Sequence, residues 1–313
     1  MLRLIARRVL LSIPLLIIVT AVTFLLQSLI PGDPARSLLG PNATPEQYEA
    51  LRQALNLDKP VIVQYGDYLA AMVRGDLGRS IFTGEAVTAT LANRLPVSLS
   101  LIIGGTILAL LVGVVLGVLS ATRGRVVARF VDVFSLVGGA LPNFWVGLVL
   151  ASVFAVALGI LPATGYVPFD ISPSEWARSL VLPVITLSLA GIASVAKIVR
   201  DGVGTALDQD STRTLRAAGL PRRVLIWKYA LRNSSVSLVT VIGVIFVASL
   251  SGTVLVENVF VLPGLGSLAV MATARQDLPV IQGVALAFTV ITIVVNLLVD
   301  ISYGLLNPKV RVT

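Results

Sequence analysis

The side chains that ordinarily carry out bond chemistry are nearly missing from this chain. It has no cysteine and no histidine, which removes thiolate and imidazole nucleophiles, Cys and His metal ligands, His general bases and disulfides. Its four lysines are Lys59, Lys197, Lys228 and Lys309, and none follows a glycine in a phosphate-cradling loop, so the chain has no P-loop for ATP. What remains is recognition. Arg213-Thr214-Leu215-Arg216-Ala217-Ala218-Gly219-Leu220-Pro221 is a basic segment with helix punctuation. Asp208, Asp210 and Ser211 supply N-cap and first-turn acids, Gly219 a left-handed terminator and Pro221 a stop. An eight-residue helix is about 12 Å long and too short to be stable alone in water, so it needs a surface to pack on. Such a segment offers a handle to a soluble partner; a turn lying on the bilayer is the competing reading.

These residues must be positioned by membrane helices. The chain of 313 residues is 56% hydrophobic and 13% charged, with a mean hydropathy of +0.93; its main solvent is lipid. Apolar runs long enough for the roughly 30 Å hydrocarbon core occur at 9–30, 97–121, 134–161, 180–196, 235–256 and 280–299. Six transmembrane helices are expected. The third run is interrupted by Gly138-Gly139 and Pro142-Asn143, which predicts a kink or a short helix before the spanning helix. The first run follows Arg3, Arg7 and Arg8 but exceeds the roughly 7–15 residues of a signal-peptide core, so it reads as an uncleaved helix.

Basic residues fix the expected orientation. The N-terminus, the Arg123, Arg125, Arg129 segment, the stretch from Lys197 to Arg232 with eight Lys and Arg, and the tail with Lys309 and Arg311 alternate with segments lacking such an excess. By the positive-inside bias the four basic segments are cytoplasmic and so are both termini. This distribution also accounts for the pI near 10.3 without nucleic acid. The external 31–96 segment carries six Lys and Arg against seven Asp and Glu. Thr44-Pro45-Glu46 opens a helix to about Leu55 within it and 64–72 forms another, giving a small helical cap. The organisation expected is thus residues 1–30 as N-terminus and first helix, 31–96 as external loop domain, 97–306 as five-helix core with a cytoplasmic loop at about 207–223, and 307–313 as tail.

No span carries an Asp, Glu, Lys or Arg between its ends, which argues against a proton-coupled carrier; a membrane-embedded enzyme would be left with hydroxyls alone. A passive channel or scaffold would need no energy source, whereas driven transport would need a second polypeptide. Ser249, Ser251 and Thr253, with Asn296 and Asn143, could line a polar translocation path, and interhelical hydrogen bonding accounts for them equally. Glu257, Phe260, Pro263, Gly264, Leu265 and Gly266 mark a segment that would meet an external protein, fold back as a re-entrant gate, or simply connect two helices. Gly113-x-x-x-Gly117 predicts close helix packing within the fold rather than a dimer seam. Trp227 and Tyr229 read as interface anchors.

The chain resembles, nearly end to end, the B-type permease subunits of dipeptide, oligopeptide and nickel ABC importers. Arg7-Arg8, Pro31-Gly32-Asp33-Pro34, Gly75-Asp76-Leu77-Gly78-Arg79-Ser80, Leu161-Pro162-x-x-Gly165-Tyr166 and Leu182-Pro183-x-x-Thr186-Leu187 are similar to that family's signatures in order and spacing. Arg213, Thr214, Arg216, Ala217, Gly219 and Leu220, followed by Ala230-Leu231-Arg232-Asn233, are similar to its "EAA" loop. Val256-Glu257-x-Val259-Phe260-x-x-Pro263-Gly264-Leu265-Gly266 and the Asn307-Pro308 tail complete the likeness. Leu215 stands where the family usually has Ala, and Ser211 where it often has Tyr.

The resemblance implies an all-α integral membrane protein with the type I ABC importer permease fold, in a bacterial inner membrane. It implies Asp210, Arg213, Thr214, Leu215, Arg216, Ala217, Gly219 and Leu220 as the ATPase-coupling residues, and Glu257 to Gly266 as a docking or gate segment. The implied partners are a homologous second permease, two ATP-binding subunits or one fused ATPase chain, and an external solute-binding protein. No cofactor is bound by this chain, ATP and Mg being held by the ATPases; peptides are the expected substrate, with nickel or another small solute as the alternative.

Overall fold

The computed structural model describes residues 2–29, 33–40 and 42–306. The Pro31-Gly32 pair and the tail with Asn307, Pro308, Lys309 and Arg311 therefore lie outside the described residues. Apart from one isolated bridge between Arg79 and Ala86, the regular structure among the described residues is helical. In chain order the helices are α1 (Leu2–Ser28), α2 (Pro34–Leu39), α3 (Pro45–Ala54), α4 (Val61–Val73), α5 (Val87–Thr122), α6 (Arg125–Ala140) and α7 (Asn143–Leu150), the last running into a π-helical stretch Ala151–Ala157. Then come α8 (Pro173–Asp208), α9 (Asp210–Ala217), α10 (Arg222–Val224), a second π-helical stretch Leu225–Ala230, α11 (Leu231–Asn233), α12 (Ser235–Val259), α13 (Leu265–Arg275) and α14 (Leu278–Leu306).

Among the described residues five helices are long and apolar enough to cross a bilayer: α5, α8, α12, α14 and Ile5–Ser28 of α1. The sixth expected span is broken, because α6 and Asn143–Ala157 meet at 104°. The cause is local. Pro142 drives the residue before it out of the helical region, and Leu141 sits at φ −78, ψ 131. The expected interruption thus falls between α6 and α7, and it is a turn rather than a kink.

The chain divides into two compact units, Leu99–Leu262 with the chain from Val295, and Leu2–Ser98 with Pro263–Val294. In the first unit α8 is the axis, with 67% of its apolar window buried against 6% for α1. Glycines let neighbouring backbones reach it. A Cβ on Gly117 would lie 2.6 Å from the Ala196 carbonyl oxygen and 2.6 Å from Val199 Cβ, and one on Gly113 would lie 2.6 Å from Val195 Cβ. Gly191 of α8 accepts Ala109 of α5 and Ile245 of α12 in the same way, at 2.9 and 3.1 Å. The Gly113 and Gly117 pair therefore packs inside the fold, as its spacing predicts. One apolar cluster, including Val118, Val195, Val203, Ile226, Leu238 and Ile245, joins α5, α8, the second π-helical stretch and α12.

The second unit has its own fastenings. Thr44 and Gln47 form a reciprocal capping box at the start of α3, and Tyr65 of α4 bonds Thr20 and the Ile17 carbonyl of α1 at 3.0 and 2.9 Å. Helix α2, not anticipated, begins on Asp33, whose carboxylate accepts Ala35 N–H at 2.8 Å. Asp33 also accepts the Tyr48 hydroxyl and pairs with Arg52 at 4.0 Å. Arg36 and Arg52 flank the Tyr48 ring at 5.2 and 5.6 Å. Burial pushes the Asp33 carboxyl up, but the Tyr48 and Ala35 hydrogen bonds and the Arg52 charge together outweigh it and hold the pKa below the ordinary value. Farther along, the Asp277 carboxylate accepts the Ser80 hydroxyl and the Ile81 N–H, clasping the 75–86 loop to the corner between α13 and α14.

Two expectations follow. Gly117→Ala should cost about 1–3 kcal/mol in thermal unfolding, since backbone and Val199 block its Cβ, whereas Gly139→Ala, where nothing lies within 4 Å, should leave stability unchanged or raised. Because the folded pKa of Asp33 is depressed, its stabilising contribution is complete above the ordinary value of 3.8 and is lost as pH falls through the lower folded value. Protease cutting of residues 34–58 in the purified protein should accordingly rise only below that value, and Tyr48→Phe should move the onset to higher pH.

Candidate functional site

Helix α9 is the basic segment singled out in the sequence, and its ends are built differently from one another. Asp208 is still the last residue of α8, and the N-cap is Gln209 at φ −65, ψ 145 with no side-chain cap bond. The expected side-chain N-cap is thus corrected, because α8 runs on through Asp208 and leaves a single extended residue between the two helices, while Asp210 keeps its expected place as the first-turn acid of α9. Asp210 pairs instead with Arg213 at 3.3 Å on the exposed surface, and its carbonyl accepts the Thr214 hydroxyl at 3.0 Å. The anchor at this end is Thr212, buried, whose hydroxyl donates to the Ala206 carbonyl of α8 at 2.6 Å.

The C-terminal end follows the sequence. Gly219 takes φ +85, and Leu220 N–H reaches back to the Leu215 carbonyl at 3.2 Å, the bond of a glycine-terminated helix. Arg213, Thr214, Arg216, Ala217 and Gly219 are exposed, and Leu215 and Leu220 are half-buried. The short helix packs on α8 and on the second π-helical stretch, and the Arg222 guanidinium donates to the Thr122 carbonyl at the end of α5 at 3.0 Å.

The polar residues proposed for a path are only partly brought together. Ser249 and Thr253 are buried on one face of α12 and donate to their own helix at Ile245 and Leu250, at 2.7 and 2.8 Å. Asn143, at the start of α7, approaches α12 at Gly252, where a Cβ would lie 3.2 Å from its amide nitrogen. Ser251 and Asn296 are exposed.

At the end of α12, Glu257 and Phe260 are buried. Val261 occupies φ 52, a costly position for a β-branched residue, while Leu262 N–H closes the helix on the Glu257 carbonyl at 2.8 Å. Phe260 lies against Gly147 of α7, and its carbonyl accepts Gly165 N–H at 3.0 Å. In the other unit Pro263 and Gly264 lead into α13, with Leu265 and Gly266 buried and the Leu265 N–H donating to Ser98 Oγ at 2.8 Å. The segment after Gly264 is thus a helix with a buried start rather than an open loop.

Two polar features escaped the sequence reading. Asp132 of α6 pairs with Arg200 of α8, and Asp277 clasps Ser80. Both were visible as boundary charges, but their partners are 68 and 197 residues away, beyond any spacing rule.

Comparison with known proteins agrees with this arrangement. Residues 113–312 match the family described as binding-protein-dependent transport system inner membrane component, and residues 1–102 match the N-terminal domain described for the same systems. The chain is 40% identical over 309 residues to a putative peptide transport system permease protein of Brucella abortus (strain 2308), covering 98% of each chain. It is 35% identical to the oligopeptide transport system permease protein AppB of Bacillus subtilis (strain 168), covering 98% of each, and 36% identical to the glutathione transport system permease protein GsiC of Escherichia coli O6:H1, covering 99% of each. Among solved structures, the inward-facing MetNI methionine ABC transporter is similar in fold, with a TM-score of 0.57 at 14% identity over 70% of this chain and 97% of that one. With one central helix packed by glycines, a short basic helix hung from its end and a family match over most of its length, the chain belongs to the inner membrane components of binding-protein-dependent transport systems.

Proposed function

We propose that the chain is one permease subunit of an ATP-driven importer for di- or oligopeptides, delivered by an external binding protein. The single observation that carries the substrate class is the end-to-end match, over 98–99% of both lengths, to permeases named for peptide, oligopeptide and glutathione transport. A homologous second permease and a pair of ATP-binding subunits, or their fused equivalent, complete the assembly, and ATP with Mg is bound there. The chain itself catalyses no bond chemistry. Its termini and α9 face the cytoplasm.

The geometry supports a mechanical role for α9. It presents Arg213, Arg216, Thr214 and Ala217 outward while Thr212 pins it to α8. Helix α8 is continuous for 36 residues, a lever of about 54 Å at 1.5 Å per residue. ATP-driven closure of the ATPases would displace α9, and α8 would carry that displacement to the depth of Asn143, Ser249 and Thr253. Arg222, bonded to the end of α5, would make α5 follow. The segment from Glu257 to Gly266 serves as the external gate, because its buried start suits a plug better than an exposed docking loop.

The orientation is checked against a background without native cysteine. Single cysteines at Thr83 and Thr273, both exposed, should react with an impermeant thiol reagent from outside, and one at Thr214 should not; labelling of Thr214→Cys in intact cells would reverse the orientation and end the coupling role. Gly219→Val forces a β-branched residue to φ +85, which costs on the order of 1–2 kcal/mol. It should lower ATPase association or raise the ATP used per substrate while binding-protein docking is unchanged. If Gly219→Val and Arg216→Glu both assemble normally and transport at the unmodified rate with the same ATP use, α9 is only a surface turn.

A further inference from the structure

The second unit holds a cleft of about 310 Å3 between the end of α1, helices α2 to α4 and the corner where α13 meets α14, and every side chain that lines it belongs to that unit. Its volume lies at the lower end of the range for small-molecule sites. Gln27 of α1 lines it and is only 9% exposed, yet among the described residues neither its amide nitrogen nor its amide oxygen has a hydrogen-bond partner. Gln64, also in the wall, is committed, its nitrogen donating to the Lys59 carbonyl at 2.8 Å. Arg52 pairs with Asp33 and Glu49 and its Nη2 donates to the Leu57 carbonyl at 3.5 Å. Its buried Nε–H, 4.0 Å from the Asp33 carboxylate, is beyond hydrogen-bond reach of it and donates to no described residue. Buried polar groups are normally paired, so two unpaired groups on the wall of one cleft point to a ligand that pairs them.

The types and signs of these groups narrow the ligand. A carboxamide needs an acceptor for its N–H and a donor for its oxygen. A phosphate or a simple carboxylate offers acceptors and would face the Asp33 carboxylate; a simple cation offers donors and would face Arg52. The N–H and C=O of one residue in an extended peptide point to the same side, where a carboxamide takes both as a neighbouring strand does. Asp33 accepts the Ala35 N–H and the Tyr48 hydroxyl and keeps lone pairs for a further donor. With Arg52 it sets both signs of charge on the same wall, which suits the ammonium and carboxylate ends of a free peptide. Phe24, Leu57 and Ile281 supply apolar surface for its side chains.

We propose that this cleft binds a short zwitterionic peptide, with Gln27 pairing to the peptide backbone. That the amide recognised is a peptide's rests on the importer assignment above; the cleft and the unpaired Gln27 do not. In the orientation of that assignment the site is reached from outside the cell.

The test uses the intact importer assembly in lipid nanodiscs, without nucleotide or binding protein, and two probes of equal shape. One is alanyl-phenylalanine; the other is its ester counterpart, alanyl-phenyllactate, in which oxygen replaces the peptide N–H. By calorimetric titration the ester should bind about tenfold more weakly to the unmodified assembly, having lost the donor to Gln27. Gln27→Leu should bind alanyl-phenylalanine about tenfold more weakly and no longer distinguish the two probes, an outcome that a merely structural role for Gln27 would not produce. A benzophenone on the phenylalanine ring should crosslink within residues 24–64 or 273–281. Should Gln27→Leu fail to assemble, the two probes and the crosslink map on the unmodified assembly decide by themselves. Equal affinity of that assembly for both probes overturns the proposal, as does crosslinking confined to other segments. A phospholipid that copurifies with the unmodified assembly and is lost from Gln27→Leu would assign the cleft to lipid and overturns it too. Import of alanyl-phenylalanine by an unmodified assembly that does not distinguish the probes would sink this site alone, whereas failure to import any di- or oligopeptide would sink the importer assignment.

Discussion

The structure depends on how closely α5 and α12 approach α8. Inside a bilayer, helices gain little from burying apolar surface, since lipid is as apolar as leucine; association rests on close van der Waals packing. Gly113 and Gly117 let α5 reach the backbone of α8, and Gly191 lets α8 receive Ala109 and Ile245. Each contact would fail with one added methyl group. That tight seat makes α8 the axis about which the remaining elements of its unit are arranged, and it explains why α8 is the most thoroughly buried of the spanning helices.

A buried axis is also a good transmitter. Close-packed interiors yield in discrete rearrangements rather than by continuous deformation, so under the proposed mechanism a push at one end of α8 would reach the other. The placement of α9 suits this. One extended residue, Gln209, separates it from α8, and Thr212 ties it back to Ala206, so α9 cannot swing far without carrying α8 along. The exposed arginines beyond that tie face outward, unencumbered by internal contacts except Arg213 with Asp210.

Polar groups near the membrane are handled by local pairing. Hydroxyls of α8 and α12 donate to carbonyls of their own helix, as Thr186, Ser249 and Thr253 do, which satisfies them without recruiting a neighbour. Asp33 and Asp277, at helix ends, and Asp132, within α6, each find a partner from another element.

Much of this protein was written in its sequence. Hydropathy runs located five spans, because a bilayer imposes a length that apolar residues must fill. Thr44, Pro45 and Glu46 announced α3, and Gly219 with Pro221 marked the end of α9, because capping and left-handed turns are local chemistry. The spacing of Gly113 and Gly117 pointed to packing within the fold. Tertiary structure decided the rest. Whether the 134–161 run was one span or two helices turned on the φ and ψ of Leu141 before Pro142, and α8 outran its expected cap because its contacts extend to Ala206. The partners of Asp132 and Asp277, and the burial of Glu257 and Leu265, depend on chain segments far apart in sequence. Local rules know the conformation a residue prefers; only the packed chain determines what it touches.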